Sequence, residues 1–490
     1  MRNPIPRSNL PQKMATESTP GKSLNNVVLM TDSYKFTHWR QYPPGTQKVY
    51  SYIESRGGMF EDLVFFGLQY YLKRYLAGPV FTPEDVEEAD QFCRQHFGQE
   101  GYFNRQGWLE LHRTWEGKLP LEIKAVPEGT VVPISNVLMT VENTDPRFPW
   151  LTNYMETLLL KVWYPITVAT LSREIKKVFL SHLERTGDPA LIGFKLHDFG
   201  YRGVSSEETA AVGAAAHLVN FQGTDTVAGI RLLQEYYGVQ GMPAFSIPAA
   251  EHSTITAWGR ERERDAYANM LQQFPHGIVA CVSDSYDVFN ACEHIWGEEL
   301  REQVLSRDGV LVIRPDSGDP KTIVVNVLEI LGRKFGFETN AKGYKVLNPK
   351  VRIIQGDGVN YWTIQDVLTA ATRAGWSADN IAFGMGGALL QQLNRDTQKF
   401  AFKCSEVTIS GQGHEVYKEP VTDRSKGQKR GRLALVRRDH HFKTITVEGE
   451  KSVPGGLLQP VFLNGEVRRE QTLEDIRRRA EVPASAPASR

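Results

Sequence analysis

The sequence lacks an excess of charge of one sign and any long uninterrupted apolar run. Lysine plus arginine and aspartate plus glutamate each number 57 among 490 residues, so the bulk charge favours neither a nucleic acid nor an anionic membrane as a partner. The longest apolar run, residues 157–171, is interrupted by Lys161 and Pro165 and is too short to span a bilayer. We therefore expect a cytoplasmic protein without nucleic-acid or membrane partners.

Paired cysteines and a secretory segment are also missing. Four cysteines stand at positions 93, 281, 292 and 404 without CxxC or zinc-ligand spacing, so we expect reduced thiols that pack as small apolar side chains. Residues 1–26 are polar and proline-rich without an apolar segment, and they are predicted to be a disordered tail. A second loose tail is predicted over residues 481–490.

Between about residues 150 and 400, strand-like runs that end in polar or glycine residues alternate with helical patterns. Seven runs end in this way: KLHDFGYRG (195–203), VNFQGTDTV (219–227), FSIPAAEHST (245–254), IVACVSDSYD (278–287), VLVIRPDSGD (310–319), VRIIQGDGVN (351–360) and IAFGMGGALL (381–390). VWYPITVAT (162–170) is predicted as an eighth strand. This rhythm favours a βα barrel over residues 151–400, with a doubly wound open sheet as the alternative.

Strand and helix patterns also occupy residues 27–150 and 401–480. Neither segment alone holds much core, so we expect them to pack together as a smaller α+β domain. One helix is predicted over residues 83–97, with Thr82 as its cap and Pro83 in its first position.

The residues with distinctive chemistry follow the predicted strands, and in a βα barrel these loops meet on one face. Arg314 suits a bidentate grip on phosphate, and Asp316 suits a sugar hydroxyl, a metal or a developing positive charge. The glycine turns QGDGV (355–359) and FGMGG (383–387) allow backbone N–H groups to hold a phosphate. Together these features predict a phosphorylated sugar ligand.

His252 lies among these candidates and is either a nucleophile or acid/base group, or a structural histidine. The two acids of SDSYD (283–287), Asp284 and Asp287, offer metal or hydroxyl contacts, or a cap for the next helix. A metal-dependent hydrolase is an alternative, because His197, Asp198 and Glu251 add possible ligands. However, HxH and HExxH spacings are missing and the arginines would repel a metal, so no residue is assigned as a metal ligand.

Motifs in a fixed order closely resemble the nicotinamide phosphoribosyltransferase family from about residue 28 to about residue 480. They are TDSYKFTHWRQYPP, SYIESRG, VENTDP, KLHDFGYRGVSS, GTDTVAG, PAAEHSTITAWG, VSDSYD, RPDSGDP, QGDGV, IAFGMGG and FKCS. The resemblance implies the distorted, TIM-like βα barrel of type II phosphoribosyltransferases and a homodimer with sites between subunits. It implies synthesis of nicotinamide mononucleotide and pyrophosphate from nicotinamide and phosphoribosyl pyrophosphate (PRPP), with Mg²⁺ assisting and ATP hydrolysis coupled through phosphorylation of His252.

The same resemblance assigns residues to the nicotinamide base. Phe199 stacks on one face of the ring, and Tyr34 of the partner subunit covers the other face. Arg202 lies near the ring amide and the phosphates. Asp225 accepts a hydrogen bond from the amide N–H, and its charge would repel the carboxylate of nicotinate.

The resemblance also assigns residues to the sugar and phosphates. Arg314 grips phosphate or pyrophosphate, and Asp316 stabilises the oxocarbenium-like transition state. The remaining substrate-binding assignments on the barrel are Asp284, Gly356, Asp357, Gly386 and Gly387. Three further substrate-binding residues reach a phosphate across the dimer interface: Arg395, Lys403 and Lys418. A nicotinate phosphoribosyltransferase and a catalytically silent binding protein on the same scaffold remain as alternatives.

Overall fold

The computed structural model describes residues 25–419, 421–422, 428–439, 441–449 and 453–483. The predicted tails therefore lie largely outside the described residues. Asn26 belongs to the folded domain, because it is buried and its side-chain amide donates to the carbonyl of Asp85 at 2.9 Å.

The N-terminal segment forms antiparallel strands flanked by helices. Its strands are β1 (Thr46–Ser55), β2 (Asp62–Val64), β3 (Leu121–Ala125), β4 (Val131–Pro133) and β5 (Val137–Asn143), and its helices are α1 (Leu68–Tyr71), α2 (Pro83–Phe97), α3 (Arg105–Trp115), α4 (Leu151–Tyr154) and α5 (Glu156–Leu159). The start of α2 confirms the prediction, because Thr82 and Asp85 cap each other's backbone N–H groups and Pro83 stands in the first position.

The barrel segment alternates strands with helices. Its strands are β6 (Leu196–Asp198), β7 (Gly223–Thr224), β8 (His276–Val282), β9 (Asp308–Arg314), β10 (Phe337–Thr339), β11 (Lys345–Leu347), β12 (Val351–Gln355) and β13 (Ile381–Met385). Its helices are α6 (Trp163–Thr186), α7 (Glu207–His217), α8 (Val227–Tyr236), α9 (His252–Thr256), α10 (Glu263–Gln273), α11 (Val288–Asn290), α12 (Arg301–Ser306), α13 (Pro320–Phe335), α14 (Tyr361–Arg373) and α15 (Gly387–Leu390).

Six parallel strands form the barrel sheet in the order β7, β6, β13, β12, β9, β8. Residues 245–250 join its two edges, because Phe245 makes a parallel bridge to Gly223 of β7 and Ala249 makes one to Ala280 of β8. The ring is therefore closed by an irregular seventh segment, which confirms a distorted barrel and rules out the open-sheet alternative. All seven predicted strand ends contribute to this ring.

The predicted eighth strand, residues 162–170, is wrong. These residues begin α6, a helix of 24 residues that is buried on most sides. An apolar run that is buried all round has no periodicity that separates a strand from a helix. Pro165 lies in the first turn of α6, where its missing N–H costs no hydrogen bond.

The C-terminal segment returns to the N-terminal sheet. Its elements are β14 (Phe400–Ile409), β15 (Gln412–Glu415), β16 (Arg432–Arg438), β17 (His441–Val447), β18 (Gln459–Leu463), β19 (Glu466–Val467) and α16 (Leu473–Ala480). The large sheet has the order β15, β14, β1, β5, β3, β18, β19. Strands from both ends of the chain thus form one smaller α+β domain, as expected.

The cysteines behave as predicted. All four are unpaired; Cys93, Cys281 and Cys292 are buried and Cys404 is partly buried. Burial raises the pKa of the Cys93 and Cys292 thiols to about 12. Within the described ranges, no helix has the length and apolarity needed to cross a membrane.

Candidate active site

Side chains from separate strands meet at the carboxyl end of the barrel, and Gly356 marks the point of closest approach. A methyl group on Gly356, just after β12, would lie 2.9 Å from Oδ1 of Asp316, 3.5 Å from Cδ of Arg314 and 3.6 Å from Cε2 of Phe199. Glycine is therefore required where these three side chains converge. The structure brings the predicted ring platform and the predicted phosphate and ribose residues into one site.

The ring of Phe199 is held against the end of β13. A methyl group on Gly384 would lie 1.8 Å from Cε2 of Phe199, so the ring lies directly on the bare backbone of that glycine. The N–H of Phe199 donates to the carbonyl of Met385 at 3.0 Å. The buried carboxylate of Asp198 accepts from the N–H of Gly200 at 2.7 Å. These contacts fix the loop that carries Phe199.

Asp225 lies beside this platform, after β7. Its Oδ1 accepts hydrogen bonds from Nε2 of His197, at 2.8 Å, and from the hydroxyl of Ser246. Burial opposes the charge of Asp225, but these hydrogen bonds hold its pKa below the ordinary value. The ring centroids of His197 and Phe199 lie 5.2 Å apart. The site therefore presents an ionised carboxylate near Phe199.

His252 and Asp284 form a pair at the start of α9 and the end of β8. Nε2 of His252 lies 3.0 Å from Oδ1 of Asp284, and the hydroxyl of Ser317 donates to Oδ2 of Asp284 at 2.6 Å. The side chain of His252 is 46% exposed, whereas that of Asp284 is 6% exposed. A buried carboxylate thus orients an accessible imidazole, and the helix cap suggested for SDSYD is supplied by Asp287.

Arg314 and Asp316 lie at the end of β9, with Nη2 and Oδ2 separated by 3.6 Å. Burial raises the pKa of Asp316; Arg314 and His252 oppose this rise, while Asp284 and Asp357 add to it. Nε of Arg314 is buried and has no hydrogen-bond partner among the described residues. A ligand rich in oxygen acceptors would accept the hydrogen bonds that this guanidinium leaves unmade.

The remaining barrel-face residues lie on neighbouring loops. A methyl group on Gly203, next to the exposed Arg202, would lie 3.6 Å from the backbone of Gly387. At Gly387 itself an added methyl would meet no atom within 4 Å, and at Gly386 it would meet only the carbonyl of Phe199, at 3.5 Å. The glycine turn therefore leaves open space beside the loop of Arg202.

Arg395, Lys403 and Lys418 come together on the smaller domain rather than on the barrel face. Burial lowers the pKa of Lys403; Glu156 opposes this effect, and Arg56, Lys418 and Arg395 add to it. Among the described residues, no hydrogen bond or ion pair joins this cluster to Arg314, Asp316 or His252. We call Arg56, Arg395, Lys403 and Lys418 the basic cluster.

Arg56 was missed by the sequence reasoning, although its motif SYIESRG carried part of the resemblance. It donates from Nε to Glu54 at 3.0 Å, and its buried Nη2 has no partner among the described residues. The only sequence signal was a lone arginine at a strand end. Tyr34 lies on the same domain and is 57% exposed.

The basic loop RSKGQKRGR (424–432), which the resemblance makes either a helper of the basic cluster in phosphate binding or a solvated surface loop, lies partly outside the described residues. Where it is described, its cations are already paired. Lys429 pairs with Glu54, Arg430 pairs with Glu419 at 3.3 Å, and Arg432 pairs with Glu142. These residues therefore give no support to a direct role in phosphate binding.

A cavity of about 530 Å³ lies inside the barrel, lined by residues of β6, β8, β9, β12, β13 and the closing segment. His197 and Ser246 line its wall, so the cavity adjoins the Asp225 pair. Its surface is mainly apolar, although Lys195, Arg352 and Asp379 also line it.

The carboxylates fit a magnesium ion that is held mostly by substrate. Within the described part of the chain, no three His, Cys, Asp or Glu side chains are arranged to hold a metal on their own. Mg²⁺ is usually bound through one or two carboxylates plus substrate phosphates and water. Asp284 and Asp357 both lie close enough to Asp316 to raise its pKa, and these three carboxylates would serve in this way.

The fold is identified by the solved structures that share it. A nicotinate-nucleotide pyrophosphorylase from Pyrococcus furiosus matches with a TM-score of 0.59 and 17% identity, covering 96% of this chain and 97% of that chain. Human nicotinic acid phosphoribosyltransferase matches with a TM-score of 0.56 and 16% identity, over 92% and 93% of the two chains. The fold is that of the type II phosphoribosyltransferases.

Comparisons of sequence identify the family to which the chain belongs. Residues 194–466 match the nicotinate phosphoribosyltransferase (NAPRTase) family, and residues 26–123 match the nicotinamide phosphoribosyltransferase N-terminal domain. A nicotinamide phosphoribosyltransferase of Xanthomonas campestris is 50% identical over 468 residues, covering 94% of this chain and 99% of the relative. One of Acinetobacter baylyi is 32% identical, over 93% and 97%. The chain belongs to the nicotinamide phosphoribosyltransferase family and is an enzyme of that class.

Proposed function

We propose that this enzyme transfers the phosphoribosyl group of PRPP to nicotinamide, forming nicotinamide mononucleotide and pyrophosphate for NAD salvage. The ring nitrogen forms a bond to C1′ of the ribose, and the bond from C1′ to the pyrophosphate oxygen breaks with its electron pair. The observation that carries the choice of base is the ionised Asp225 beside Phe199. A carboxylate accepts from an amide N–H and repels the carboxylate of nicotinate.

The base is held by stacking and by one directional hydrogen bond. Phe199 supplies a flat surface fixed against Gly384, so the ring of the substrate can stack without moving the protein. Asp225 then sets the rotation of the ring through its amide group. Binding in this way points the ring nitrogen toward the residues at the ends of β9 and β12.

The sugar and its leaving group are held by the charged residues. Arg314 donates to the pyrophosphate, which matches the unpartnered Nε of its guanidinium. Asp316 faces the ribose and stabilises the positive charge that develops at C1′ as the pyrophosphate leaves. Asp284, Asp316 and Asp357 would hold Mg²⁺ together with substrate phosphates, and this ion would neutralise charge on the departing pyrophosphate.

We also propose a homodimer in which each subunit completes the site of the other. Lys35, next to the exposed Tyr34, pairs with Glu156 at 2.7 Å, and Glu156 lies close enough to Lys403 to affect its pKa. The Tyr34 segment and the basic cluster therefore share one face of the smaller domain. That face offers both an aromatic ring and a cluster of cations to a partner's barrel.

Coupling to ATP is proposed through His252. With Nε2 of His252 donating to Asp284, Nδ1 keeps its lone pair and can attack the γ-phosphorus of ATP, releasing ADP. The carboxylate of Asp284 stabilises the positive charge of the phosphorylated ring. Water then cleaves the P–N bond and releases phosphate. His252 is accessible, as such a transfer requires.

Pyrophosphate release tests the main proposal. We expect release that requires both nicotinamide and PRPP and that is lost in a folded Asp316→Asn variant. Release with nicotinate alone would instead indicate a nicotinate phosphoribosyltransferase. PRPP binding without release for either base would indicate a binding protein on this scaffold.

Phosphate transfer to the protein tests the coupling. After incubation with ATP labelled at the γ-phosphate, we expect an acid-labile label that is absent from His252→Ala. His276→Ala is the control, because His276 is exposed at the opposite end of β8 and pairs only with Asp308. Equal labelling of the His252→Ala variant would exclude this residue as the phosphate acceptor.

A further inference from the structure

The two carboxylate oxygens of Asp225 differ in the hydrogen bonds that they accept. Oδ1 accepts from both Nε2 of His197 and the hydroxyl of Ser246. No hydrogen bond from the described residues reaches Oδ2. The carboxylate is therefore held by one oxygen and leaves the other as a single acceptor for the ligand.

The three residues come from three adjoining parts of the barrel. His197 lies on β6, Asp225 follows β7, and Ser246 lies in the segment that closes the ring. The backbone N–H of Asp225 also donates to the carbonyl of Asp198 at 3.0 Å. The carboxylate can rotate only by breaking hydrogen bonds to both neighbouring segments.

The packing of His197 fixes which of its nitrogens donates. A methyl group on Gly223 would lie 2.7 Å from Nδ1 of His197, so this nitrogen packs against bare backbone. Nδ1 has no hydrogen-bond partner among the described residues, whereas Nε2 faces a carboxylate that can only accept. Nε2 is therefore the nitrogen that donates to Asp225.

The nearby His217 shows how a purely structural histidine differs. It is fully buried, with Nδ1 3.0 Å from the hydroxyl of Ser172 and Nε2 3.2 Å from the carbonyl of Gly223. Both of its nitrogens are satisfied within the core. His197 instead is partly exposed, lines the barrel cavity and donates from Nε2 to a candidate substrate-binding carboxylate.

We propose that His197, assisted by Ser246, is a positioning residue that sets the preference for an uncharged amide over a carboxylate on the base. It does so by locking Asp225 in one orientation with its charge intact. The inference rests on the proposed function, because it assumes that Asp225 meets the amide group of the substrate. Without these two donors, the carboxylate can rotate or take up a proton, and its repulsion of an acidic base weakens.

The test compares His197→Leu, which removes the donor, with His197→Gln, whose amide N–H can replace it. For His197→Leu we expect the KM for nicotinamide to rise about tenfold and the ratio of amide to acid product from an equimolar mixture of bases to fall by a similar factor. We expect kcat and the KM for PRPP to change less than about twofold, because the donor acts only on the base. His197→Gln should restore most of the ratio.

His276→Leu is the matched control. It removes another histidine–carboxylate pair, with Nδ1 3.2 Å from Asp308, at the opposite end of the barrel strands. We expect its kinetics to match the wild type. If His197→Leu does not fold, Ser246→Ala removes the second donor from an exposed position and should shift the ratio in the same direction.

Asp225→Ser separates failure of this inference from failure of the proposed function. If Asp225→Ser lowers the product ratio but His197→Leu and Ser246→Ala leave it unchanged, the positioning role is refuted and the proposed function stands. If His197→Leu and His197→Gln lower kcat equally without changing the ratio, His197 is only structural. If Asp225→Ser leaves the ratio unchanged, the proposed recognition of the amide fails, and the inference fails with it.

Discussion

Gly384→Ala should displace the ring of Phe199 without removing any polar group from the site. The added methyl would lie 1.8, 2.2 and 2.6 Å from three carbons of that ring, well inside van der Waals contact. The nearest atoms belong to a side chain, so the ring rather than the backbone must move. We therefore expect this substitution to remove the stacking surface for nicotinamide.

The size of the effect follows from the stacking energy. An aromatic pair contributes about 1 kcal/mol beyond simple burial, so its loss should raise the KM for nicotinamide about fivefold. The KM for PRPP should change little, because Arg314 and Asp316 keep their own contacts. Overpacking should also cost about 1–3 kcal/mol of stability, which thermal unfolding would register.

Steady-state kinetics with each substrate varied in turn is the assay. Gly193→Ala is the control, because its methyl would lie 3.5 Å from Gln222, an ordinary contact at the opposite end of the barrel. Phe199→Ala removes the ring directly and should raise the same KM. A folded Gly384→Ala variant with an unchanged KM for nicotinamide would refute the stacking role of Phe199.

Three further predictions follow from the described contacts. Asp284→Asn should bring the ratio of the rates with and without ATP to about one, since the carboxylate that orients His252 is lost. It should also lower the ATP-independent rate, because Asp284 would help to hold Mg²⁺; rates with and without ATP measure both effects. Burial raises the pKa of the Glu128 carboxyl to about 7 from an ordinary 4.5. Between these two values the folded protein keeps a proton on Glu128 that the unfolded chain has released. The free energy of unfolding therefore falls as pH rises through this range, by about 3 kcal/mol at most. Thermal unfolding of Glu128→Gln should lack that slope, and an unchanged slope would contradict the assignment. Asp316→Asn and Lys403→Ala subunits, each inactive alone, should regain about a quarter of the wild-type activity when they are mixed, if each site takes residues from both subunits. No recovery would argue for sites within one chain.

The strand ends of the barrel could be predicted because each one joins a buried apolar run to a loop with distinctive chemistry. The failure at residues 162–170 has a physical cause, since burial on all sides erases the periodicity that separates helix from strand. The closure of the barrel by residues 245–250 could not be foreseen either. It depends on isolated bridges through Phe245 and Ala249, which leave no strand pattern in the sequence.

Most residues of the site could be predicted from the sequence, but the hydrogen bonds between them could not. His197 and Asp225 were both present in motifs, yet they lie on different strands and their hydrogen bond exists only after the barrel closes. The same holds for Ser317, which bridges to Asp284. Arg56 was overlooked because only folding places it beside Lys403. Pairings between distant segments depend on tertiary geometry, which motif spacing does not encode.

The most direct test of the central claim is a competition for PRPP. Purified protein would be given equal concentrations of nicotinamide and nicotinate with PRPP, Mg²⁺ and ATP, and the two mononucleotides would be resolved by mass spectrometry. We expect nicotinamide mononucleotide in large excess, with the excess reduced in Asp225→Ser. A predominance of nicotinate mononucleotide from the wild-type enzyme would contradict it.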